Sequence, residues 1–483
     1  MTEPDSPPPS GGCCRPFLVI SSLFPLYVCV GALFGQSAGM LPQLMEEDSL
    51  IPISREEATW IASVPTIGTC IAATTSGSLS DVFGRIRMVQ MAYFLLGMGY
   101  GIIGAANDFT LLVVGRFLAG VGVGCSFPAN VYVSEMAPPA YRGLFLVLNP
   151  LLASTGLVYM YIVGVYLPWN MAALSSCLIA FLGLLLTFFC RDSPVWLLRK
   201  NRPDAARRSL AQIEGSANVD ARLKQLQDIA DAQRDAETQS GHNTFSLRVL
   251  ASPTVWKPYL IVLILSALQN ISGFYIVISY TVNFMREFHS TFDPLQATVA
   301  IGVVRLVAIC VTSALLRHVG RRTIGAVSGF GAAASLLLIY WCLVKPELAP
   351  NAWTPMALFL AYIFTVTLGI FPLPWTMPYE MFPIKVRGTM CGVSFCSMYG
   401  LMFVSVKLYN TLLDNLRLEG MILMFAAGSL VFGLYSATLL VETHRKTLDE
   451  IEAVFAGKRT KKVDQRHKDG AIEEKNEATS PIG

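Results

Sequence analysis

Long apolar stretches alternate with short polar connections over most of the chain. A helix that crosses a bilayer needs about 20 predominantly apolar residues, and backbone groups in lipid must bond within the segment, which favours helices over open sheet. Twelve stretches of this kind predict transmembrane helices at about 16–38, 58–80, 87–105, 109–133, 143–166, 170–190, 255–283, 297–316, 322–344, 354–380, 386–411 and 421–441.

A polar segment between the sixth and seventh stretches divides the pattern into two sets of six. Helical spacing within 205–236 predicts short helices in this segment, and a further short helix is predicted at 447–455. The predicted organisation is an N-terminal tail at 1–15, an N-terminal six-helix bundle at 16–190, a helical linker at 191–250, a C-terminal six-helix bundle at 251–441 and a C-terminal tail at 442–483.

The composition excludes an ordinary soluble domain. Of 483 residues, 53% are hydrophobic and only 14% are Asp, Glu, Lys or Arg, with a mean hydropathy of +0.52. The sequence shows no phosphate-binding loop, nucleophile–base pair or metal-ligand cluster. We therefore expect a protein that is not an enzyme and needs no cofactor, metal or nucleic acid. Its expected partners are the lipid bilayer and a small-molecule substrate, while its oligomeric state stays open.

The placement of charge predicts the orientation in the membrane. Connections after even-numbered stretches are basic, around Arg85, within 191–248 and around Arg321. Connections on the other side are acidic or nearly neutral, as at 46–48 and 107–108. Basic loops stay in the cytoplasm, so both termini are predicted to be cytoplasmic.

One phrase occurs twice in the chain. Residues 135–143 read EMAPPAYRG and residues 380–388 read EMFPIKVRG, with Glu, Met, Pro, Arg and Gly at the same internal spacing. Basic loop motifs at 77–85 and 317–322 also correspond in order. Internal repeats of this length in a membrane protein indicate two homologous bundles around a central site. The predicted fold is an all-α membrane protein of twelve transmembrane helices in two pseudo-symmetric six-helix bundles.

These motifs resemble the sugar porter family of the major facilitator superfamily, and within it insect facilitated trehalose and glucose transporter-like proteins. The resemblance covers nearly the whole membrane region. It rests on GSLSDVFGR at 77–85, GRFLAG at 115–120, the repeated phrase, DSPVWL at 192–197, the Gln269, Ser272 and Gly273 pattern, PLPW at 372–375 and VETHRKTLDEIE at 441–452.

The resemblance implies a cytoplasmic gate in each bundle. Its acid–base networks are expected to stabilise the outward-open state and to break on the inward swing. The alternative is that the basic loops only anchor the topology. Arg317 stands where the family usually has an acid, which should weaken the second gate unless Glu380 or an acid of the tail compensates. The implied gate residues are Asp81, Arg85, Glu135, Arg142, Arg321, Glu380 and Arg387.

The resemblance also implies a sugar site in the membrane centre, where amides bond hydroxyls and aromatic faces cover C–H surfaces. Gln269 and Trp375 occupy retained positions. Asn270 replaces a Gln and Tyr275 replaces an Asn, while Met398 and Tyr399 replace an Asn-Trp pair, for which plain packing is the alternative. We list Gln269, Asn270, Tyr275, Arg305, Trp375 and Tyr399 as candidate substrate-binding residues.

Arg305 is the most unusual departure, because it lies in the middle of the eighth stretch where the family commonly places Asn. A charge at this depth costs about 2.5–3.5 kcal/mol on insertion scales, so it should face a cavity or a partner. Three interpretations remain open. Arg305 hydrogen-bonds a neutral sugar, binds an anionic substrate, or bonds helix carbonyls.

The first stretch, 16–38, contains no Asp, Glu or His, whereas proton-coupled sugar porters commonly place a carboxylate there. This favours facilitated diffusion of a hexose or trehalose by alternating access, without ion coupling. One alternative is a transporter of a small organic anion bound through Arg305, and another is a non-transporting receptor or scaffold of the same fold. The family resemblance implies the plasma membrane as the location.

Overall fold

The computed structural model describes residues 14–46, 48–137, 141–214, 219–220, 222–228, 252–287, 294–345, 351, 353–383, 386–444 and 446–456. Every regular element in these ranges is a helix. The first half contains α1 (Cys14–Ser21), α2 (Phe24–Leu44), α3 (Arg55–Phe83), α4 (Arg85–Gly104), α5 (Phe109–Cys125), α6 (Pro128–Met136), α7 (Arg142–Tyr166) and α8 (Trp169–Thr187).

Two short helices follow the first bundle, α9 (Pro194–Arg199) and α10 (Pro203–Glu214). The second half contains α11 (Pro253–Ile271), α12 (Phe274–Ser279), α13 (Thr281–Glu287), α14 (Pro294–His318), α15 (Arg321–Val344), α16 (Thr354–Leu368), α17 (Pro372–Met381), α18 (Arg387–Lys407), α19 (Tyr409–Thr438) and α20 (Leu448–Phe455).

Eleven helical segments within the described ranges are long and apolar enough to cross a membrane. The remaining predicted span, 58–80, lies inside α3. This helix has 29 residues, which is ample for a bilayer, but it is rich in Thr, Ser and Gly and begins with Arg55, Glu56 and Glu57. Its polarity comes from a position between the two halves rather than against lipid, since α3 packs on both α5 and α18.

Five predicted spans are not the continuous helices that the apolar pattern indicated. The stretch 16–38 is interrupted between α1 and α2, and the stretch 386–411 is interrupted at Leu408 between α18 and α19. The stretches 109–133, 255–283 and 354–380 are each interrupted, between α5 and α6, between α11 and α12, and between α16 and α17. The α6 and α17 segments begin at Pro128 and Pro372, where a missing N–H costs nothing. Gly273 breaks the stretch 255–283 with a φ of +82°, and a Cβ there would lie 2.4 Å from the Phe425 ring.

Within each half, the helices pack closely enough for backbones to touch. In the first half, α2 packs on α7, α3 on α5, and α4 on α5 and α8; in the second half, α15 packs on α19 and α16. A Cβ on Gly31 would lie 1.7 Å from the carbonyl oxygen of Ala153, and one on Gly329 would lie 2.4 Å from Gly433. Small residues allow this approach, which is how helices associate in lipid.

The two halves meet along α3 with α18 and along α7 with α14. We call the face that carries α1, α10 and α20 the terminal face, and the opposite one the distal face. At the distal face, Lys407 Nζ donates to Thr59 Oγ1 at 2.8 Å and Asn410 Nδ2 donates to the Arg55 carbonyl at 2.6 Å. Midway along the same helices, the Sγ atoms of Cys70 and Cys396 are 2.7 Å apart.

Nearer the terminal face, α3 and α18 no longer touch. Gly77 on α3 and Gly388 on α18 are both exposed, and a Cβ added to either would meet no heavy atom within 4 Å. The halves are therefore joined at the distal face and apart at the terminal face.

The short helices at the terminal face match the sequence predictions where they are described. Helix α20 confirms the helix predicted at 447–455, with Thr447 and Glu450 forming a reciprocal capping box at its start. Lys257 at the base of α11 donates to the Phe455 carbonyl at 3.2 Å and ties this helix to the second half. Of the helix predicted within 205–236, only the part in α10 and at 219–220 and 222–228 lies inside the described residues.

Candidate functional site

Two of the helix breaks meet in the centre of the second half and are joined by one amide. Gln269 is 1% exposed near the end of α11, and its Nε2 donates to the carbonyls of Ile370 and Phe371, both at 2.9 Å. These carbonyls lie in the interruption between α16 and α17. Gln269 therefore supplies the hydrogen bonds that a broken helix needs inside a membrane.

The acceptor of the same amide is also occupied. The Tyr275 hydroxyl donates to Gln269 Oε1 at 3.3 Å, and Trp375 Nε1 donates to the Tyr275 hydroxyl at 3.1 Å. The structure thus brings together three of the predicted substrate residues. It gives the Gln269 amide nitrogen a structural partner for each of its two hydrogens, so the nitrogen has no donor left for a ligand in this conformation.

Asn270 is the neighbouring predicted residue, and only one of the two polar atoms of its side-chain amide is hydrogen-bonded. Its Nδ2 donates to the Ser266 carbonyl at 2.8 Å, one turn back on α11. Its Oδ1 is buried without a hydrogen-bond partner within the described chain. A buried acceptor of this kind is costly and is available to a hydroxyl donor.

Aromatic rings form a continuous wall across the junction of the two halves. The Trp375 ring stacks on Phe395 at 5.5 Å between centroids and meets Tyr399 edge to face at 5.4 Å. Phe127, at the break between α5 and α6, stacks on Phe395 at 5.3 Å and so extends the wall into the first half. The Tyr379 ring is 5.6 Å from Phe395 and is 46% exposed, which places the wall at the edge of the opening on the terminal side.

The first half contributes a polar group that the sequence reasoning did not single out. The Oδ1 of Asn130 on α6 accepts from the Tyr27 hydroxyl at 3.0 Å and from Asn149 Nδ2 at 2.6 Å. The sequence contains one indication of this role. Asn130 is an amide that lies two residues after Pro128 within an apolar run, next to a helix break.

Two arginines are buried in the membrane region, one in each half, and they differ in their bonding. Arg116 on α5 is 1% exposed and hydrogen-bonded by all three of its nitrogens. Its acceptors lie on two other helices: the Ile61 carbonyl at 3.0 Å, the Leu33 carbonyl at 3.0 Å, Gln36 Oε1 at 3.2 Å and Ser37 Oγ.

Arg305 on α14 is 9% exposed, and its guanidinium makes no hydrogen bond or ion pair within the described ranges. The rings of Phe274 and Phe371, whose centroids are 5.0 Å apart, lie 5.4 and 5.0 Å from Cζ. Of the three interpretations of Arg305, bonding to helix carbonyls is not what the structure contains.

The predicted gate residues of the first half gather at the terminal face around Arg85. This side chain is 4% exposed, and its Nη1 donates to Asp81 Oδ1 at 2.8 Å and to the Ser80 carbonyl at 3.0 Å. Its Nε lies 3.4 Å from Glu135 Oε2, but neither atom is hydrogen-bonded. The side chain of Arg142, the fourth predicted member, lies outside the described residues.

The corresponding cluster in the second half is more fully bonded. Arg321 Nη2 donates to Glu380 Oε1 at 2.8 Å, and the Thr443 hydroxyl donates to Glu380 Oε2. Arg387, the third predicted member, donates from Nε to the Phe382 carbonyl at 3.1 Å, and Arg317 is exposed. Both acids that were expected to compensate for Arg317, Glu380 and an acid of the tail, are bonded to Arg321 or Arg322.

That tail acid is one of a matched pair of carboxylates that cap helices. Asp192 Oδ1 accepts from the backbone N–H of Arg85 at 2.9 Å and of Ile86 at 3.3 Å at the start of α4. Glu442 accepts from Arg321 N at 2.9 Å and Arg322 N at 3.1 Å at the start of α15. In both halves, the chain that follows the last span returns an acid to the third helix of its own bundle, where it meets the helix dipole.

The environments of these two carboxylates shift their pKa values in opposite directions. Burial raises the pKa of Asp192, against the lowering effect of three backbone donors and the Arg85 charge. Burial also acts to raise the pKa of Glu442, but the backbone N–H groups of His444, Arg321 and Arg322 outweigh it and hold that pKa below its usual value.

All of these ion pairs and caps lie within one half or the other. They are formed although α3 and α18 are apart at the same face. Their formation therefore does not require the halves to close at the terminal face.

Comparisons with known proteins agree with this architecture. The profile of a family described as "Sugar (and other) transporter" matches residues 30–455. The facilitated trehalose transporter Tret1 of Drosophila pseudoobscura pseudoobscura is 28% identical over 414 residues, covering 84% of this chain and 47% of the relative. Tret1 of Bombyx mori is 27% identical over 447 residues, covering 90% of this chain and 87% of the relative. The chain spans about half the length of the Drosophila relatives that it matches.

Solved structures of the major facilitator superfamily share the fold. The inward-open xylose transporter XylE from E. coli superposes with a TM-score of 0.72 at 20% identity, covering 90% of this chain and 99% of XylE. The proton:xylose symporter XylE bound to 6-bromo-6-deoxy-D-glucose gives a TM-score of 0.69 at 20% identity, with the same coverage of both chains. These matches confirm the all-α fold of two membrane bundles.

Proposed function

The chain belongs to the sugar transporter family of the major facilitator superfamily, and from this premise we propose that it carries a sugar across a membrane by alternating access. The proposed substrate is of hexose or disaccharide size, trehalose included, in keeping with the trehalose transporters among its relatives. The proposed site is the region between the aromatic wall and the breaks between α11 and α12 and between α16 and α17.

The aromatic wall is the observation that carries this proposal. Phe127 from the first half and Trp375, Phe395 and Tyr399 from the second form one connected surface at the junction of the halves. Sugar rings place their apolar C–H faces on such surfaces and satisfy their hydroxyls with a few polar groups. The Tyr399 hydroxyl, which makes no hydrogen bond within the described chain, and the free Asn270 Oδ1 are suited to that role.

Alternating access requires a conformation open to one side only. The halves are joined at the distal face through Lys407 and Asn410 and apart at the terminal face near Gly77 and Gly388. We assign the terminal face to the cytoplasm, because its connections are the basic ones. The described conformation is then inward-facing, and the proposed location is the plasma membrane with both termini inside.

The proposed transport is not coupled to an ion. The first span, 16–38, lacks an acid or His, and the acids of the gate clusters are tied to arginines at the terminal face. A neutral solute moving down its gradient needs no titrating group in the centre. XylE is described as a proton symporter, so the absence of coupling is a point on which this chain is proposed to differ.

Uptake of labelled glucose and trehalose into proteoliposomes that contain the purified full chain tests the proposal. We expect wild-type uptake and counterflow, and a loss of about tenfold or more in Trp375→Ala, because the wall loses its central ring. Trp341→Ala is the matched control, since this tryptophan is 48% exposed on α15 and touches Tyr340 and Lys345 rather than the wall.

Imposing a pH gradient on substrate-equilibrated vesicles tests coupling, and we expect no net sugar movement. Proton-driven accumulation would contradict the uncoupled mechanism. If neither sugar is transported but sugar binding still raises the thermal stability of the protein, the receptor alternative would be favoured over transport.

A further inference from the structure

Arg305 carries a buried positive charge that no carboxylate in the described ranges neutralises. Its side chain is 9% exposed in the middle of α14, and its Nε is buried without a hydrogen-bond partner in the described part of the chain. The ionisable groups near enough to act on it electrostatically are the hydroxyls of Tyr161 and Tyr275, and no described carboxylate is among them. An unpaired charge in a membrane centre marks a functional position by default.

The surroundings of Arg305 hold the guanidinium in place and leave its donors free. The adjacent rings of Phe274 and Phe371 lie 5.4 and 5.0 Å from Cζ, so the cation is stabilised by cation–π contacts. These contacts use none of the five N–H groups. Because the two ring centroids are only 5.0 Å apart, both rings lie on one side of the guanidinium, and its planar fork of N–H groups is left to match an oxyanion with two parallel hydrogen bonds.

Arg116 shows what a purely structural arginine looks like in the same fold. It is as deeply buried, yet acceptors on α2 and α3 bond all three of its nitrogens. Helix carbonyls can therefore satisfy an intramembrane arginine in this protein. Arg305 has no such acceptors among the described residues, so its bonding capacity is left for a ligand.

The position of Arg305 connects it to the proposed sugar site. Phe274 is the first residue of α12 and Phe371 directly precedes α17, so both rings come from the helix breaks. Phe274 also packs edge to face on Tyr275, whose hydroxyl accepts from Trp375 in the aromatic wall. Successive contacts through Tyr275 and Phe274 thus connect the aromatic wall to the guanidinium.

We propose that Arg305 binds the carboxylate of a monoanionic sugar acid, of the hexuronate class, and makes such acids preferred substrates of this carrier. This inference rests on the proposed sugar transport. One unneutralised arginine and one carboxylate form a neutral pair, which the membrane centre tolerates best. A sugar phosphate would bring up to two negative charges against a single cation and leave the excess buried.

The proposal predicts that the rate of uronate uptake depends on the membrane potential. A uronate that crosses the membrane moves one negative charge, whereas glucose moves none. An inside-positive potential should therefore accelerate uronate uptake and leave glucose uptake unchanged. This readout responds to the charge of the substrate that is carried, and a structural role of Arg305 would not produce it.

The experiment uses the full chain in proteoliposomes with labelled glucuronate, glucose and glucose 6-phosphate, with valinomycin and a potassium gradient setting the potential. For the wild type, we expect glucuronate uptake above that of the other two and at least threefold faster at inside-positive potential. For Arg305→Gln, we expect the ratio of glucuronate uptake to glucose counterflow to fall at least tenfold. Arg305→Lys, which keeps the charge but not the fork, should fall between the two.

The outcomes separate the inference from the function on which it rests. Glucose counterflow without glucuronate uptake, or equal glucuronate uptake by Arg305→Gln, would overturn the inference alone. Faster uptake of glucose 6-phosphate than of glucuronate would overturn the monoanion assignment. No flux of any sugar would overturn both. If Arg305→Gln is not recovered as a folded protein, the wild-type preference and its response to potential decide the question.

Discussion

The two halves of this protein have the same helix plan but distribute their hydrogen bonds in opposite ways. In the first half, the buried arginine of the centre, Arg116, is fully bonded, whereas the Arg85–Glu135 pair at the terminal face is an ion pair without a hydrogen bond. In the second half, the central Arg305 has no partner in the described chain and the Arg321–Glu380 pair is fully bonded.

This difference indicates a division of labour between the halves. A half whose central arginine is hydrogen-bonded to neighbouring helices is held rigid, because each hydrogen bond restrains the helices that it joins. A half whose centre keeps free donors and a free acceptor, at Arg305 and Asn270, has capacity for a ligand. The two halves thus share one arrangement of helices, but we assign different roles to their centres.

Removing each central arginine in turn is the strongest test of this difference between the halves. Arg116→Met should lower stability by roughly 2–4 kcal/mol, because it deletes four hydrogen bonds to a charged group and leaves Gln36 and Ser37 without their partner. Arg305→Met should stay within about 1 kcal/mol of the wild type, since it removes both an unsatisfied donor and two cation–π contacts. Thermal unfolding in detergent, followed by tryptophan fluorescence, measures both. Equal losses in the two variants would mean that Arg305 is as structural as Arg116.

The glycines under the two caps provide the next test. A Cβ on Gly84 would lie 2.0 Å from Asp192 Oδ2, at a φ of +108° that a side chain rarely adopts. A Cβ on Gly320 would lie 2.5 Å from Glu442 Oε2, at an ordinary φ of −62°, where the longer carboxylate can move aside. We expect Gly84→Ala to cost roughly 2–3 kcal/mol and Gly320→Ala about 1 kcal/mol in the same unfolding assay. A larger loss for Gly320→Ala would contradict the tighter constraint that we assign to Gly84.

Neutralising the acids of the two clusters tests whether the ion pairs at the terminal face also differ between the halves. Glu380→Gln should cost about 2 kcal/mol, because Arg321 loses its charged partner and Thr443 its acceptor. Glu135→Gln should cost less than about 1 kcal/mol, because Arg85 keeps Asp81 and the Ser80 carbonyl. Sugar uptake and the reactivity of a cysteine introduced at Gly388 report whether the loss also changes the opening at the terminal face. If Glu135→Gln impairs uptake more than Glu380→Gln, the loosely bonded pair is the important gate.

Local pattern was enough to predict the all-helical fold and the proximity of Arg85 to Asp81 and Glu135 and of Arg321 to Glu380. The breaks at 126–127, 272–273 and 369–371 were missed because apolar residues continue through them, and hydropathy does not register a bend. Gln269 has the chemistry of a sugar ligand, but its use depends on carbonyls 101 and 102 residues away, which only the fold brings near. The lack of hydrogen-bond acceptors for Arg305 among the described residues is likewise a property of packing that no sequence spacing encodes.

The smallest expected effect concerns pH and distinguishes the two caps by sign. Burial raises the pKa of Asp192, so its charge costs stability above the folded pKa, and this cost disappears as pH falls below the unfolded value of about 3.9. Backbone donors outweigh burial and lower the pKa of Glu442, so its charge contributes stability above about pH 4.3 that is lost as pH falls through the folded pKa.

At pH 7, Asp192→Asn should therefore match or exceed the wild type in thermal stability, whereas Glu442→Gln should fall below it. Both differences should shrink as the pH is lowered from 7 towards 3.5, because the wild-type carboxylates become protonated. Unfolding temperatures measured across this range, with Asp414→Asn on the distal face as the control, test the opposite signs. Two losses of the same sign at pH 7 would show that the caps are equivalent in energy as well as in position, and the asymmetry of the halves would then be confined to their centres and ion pairs.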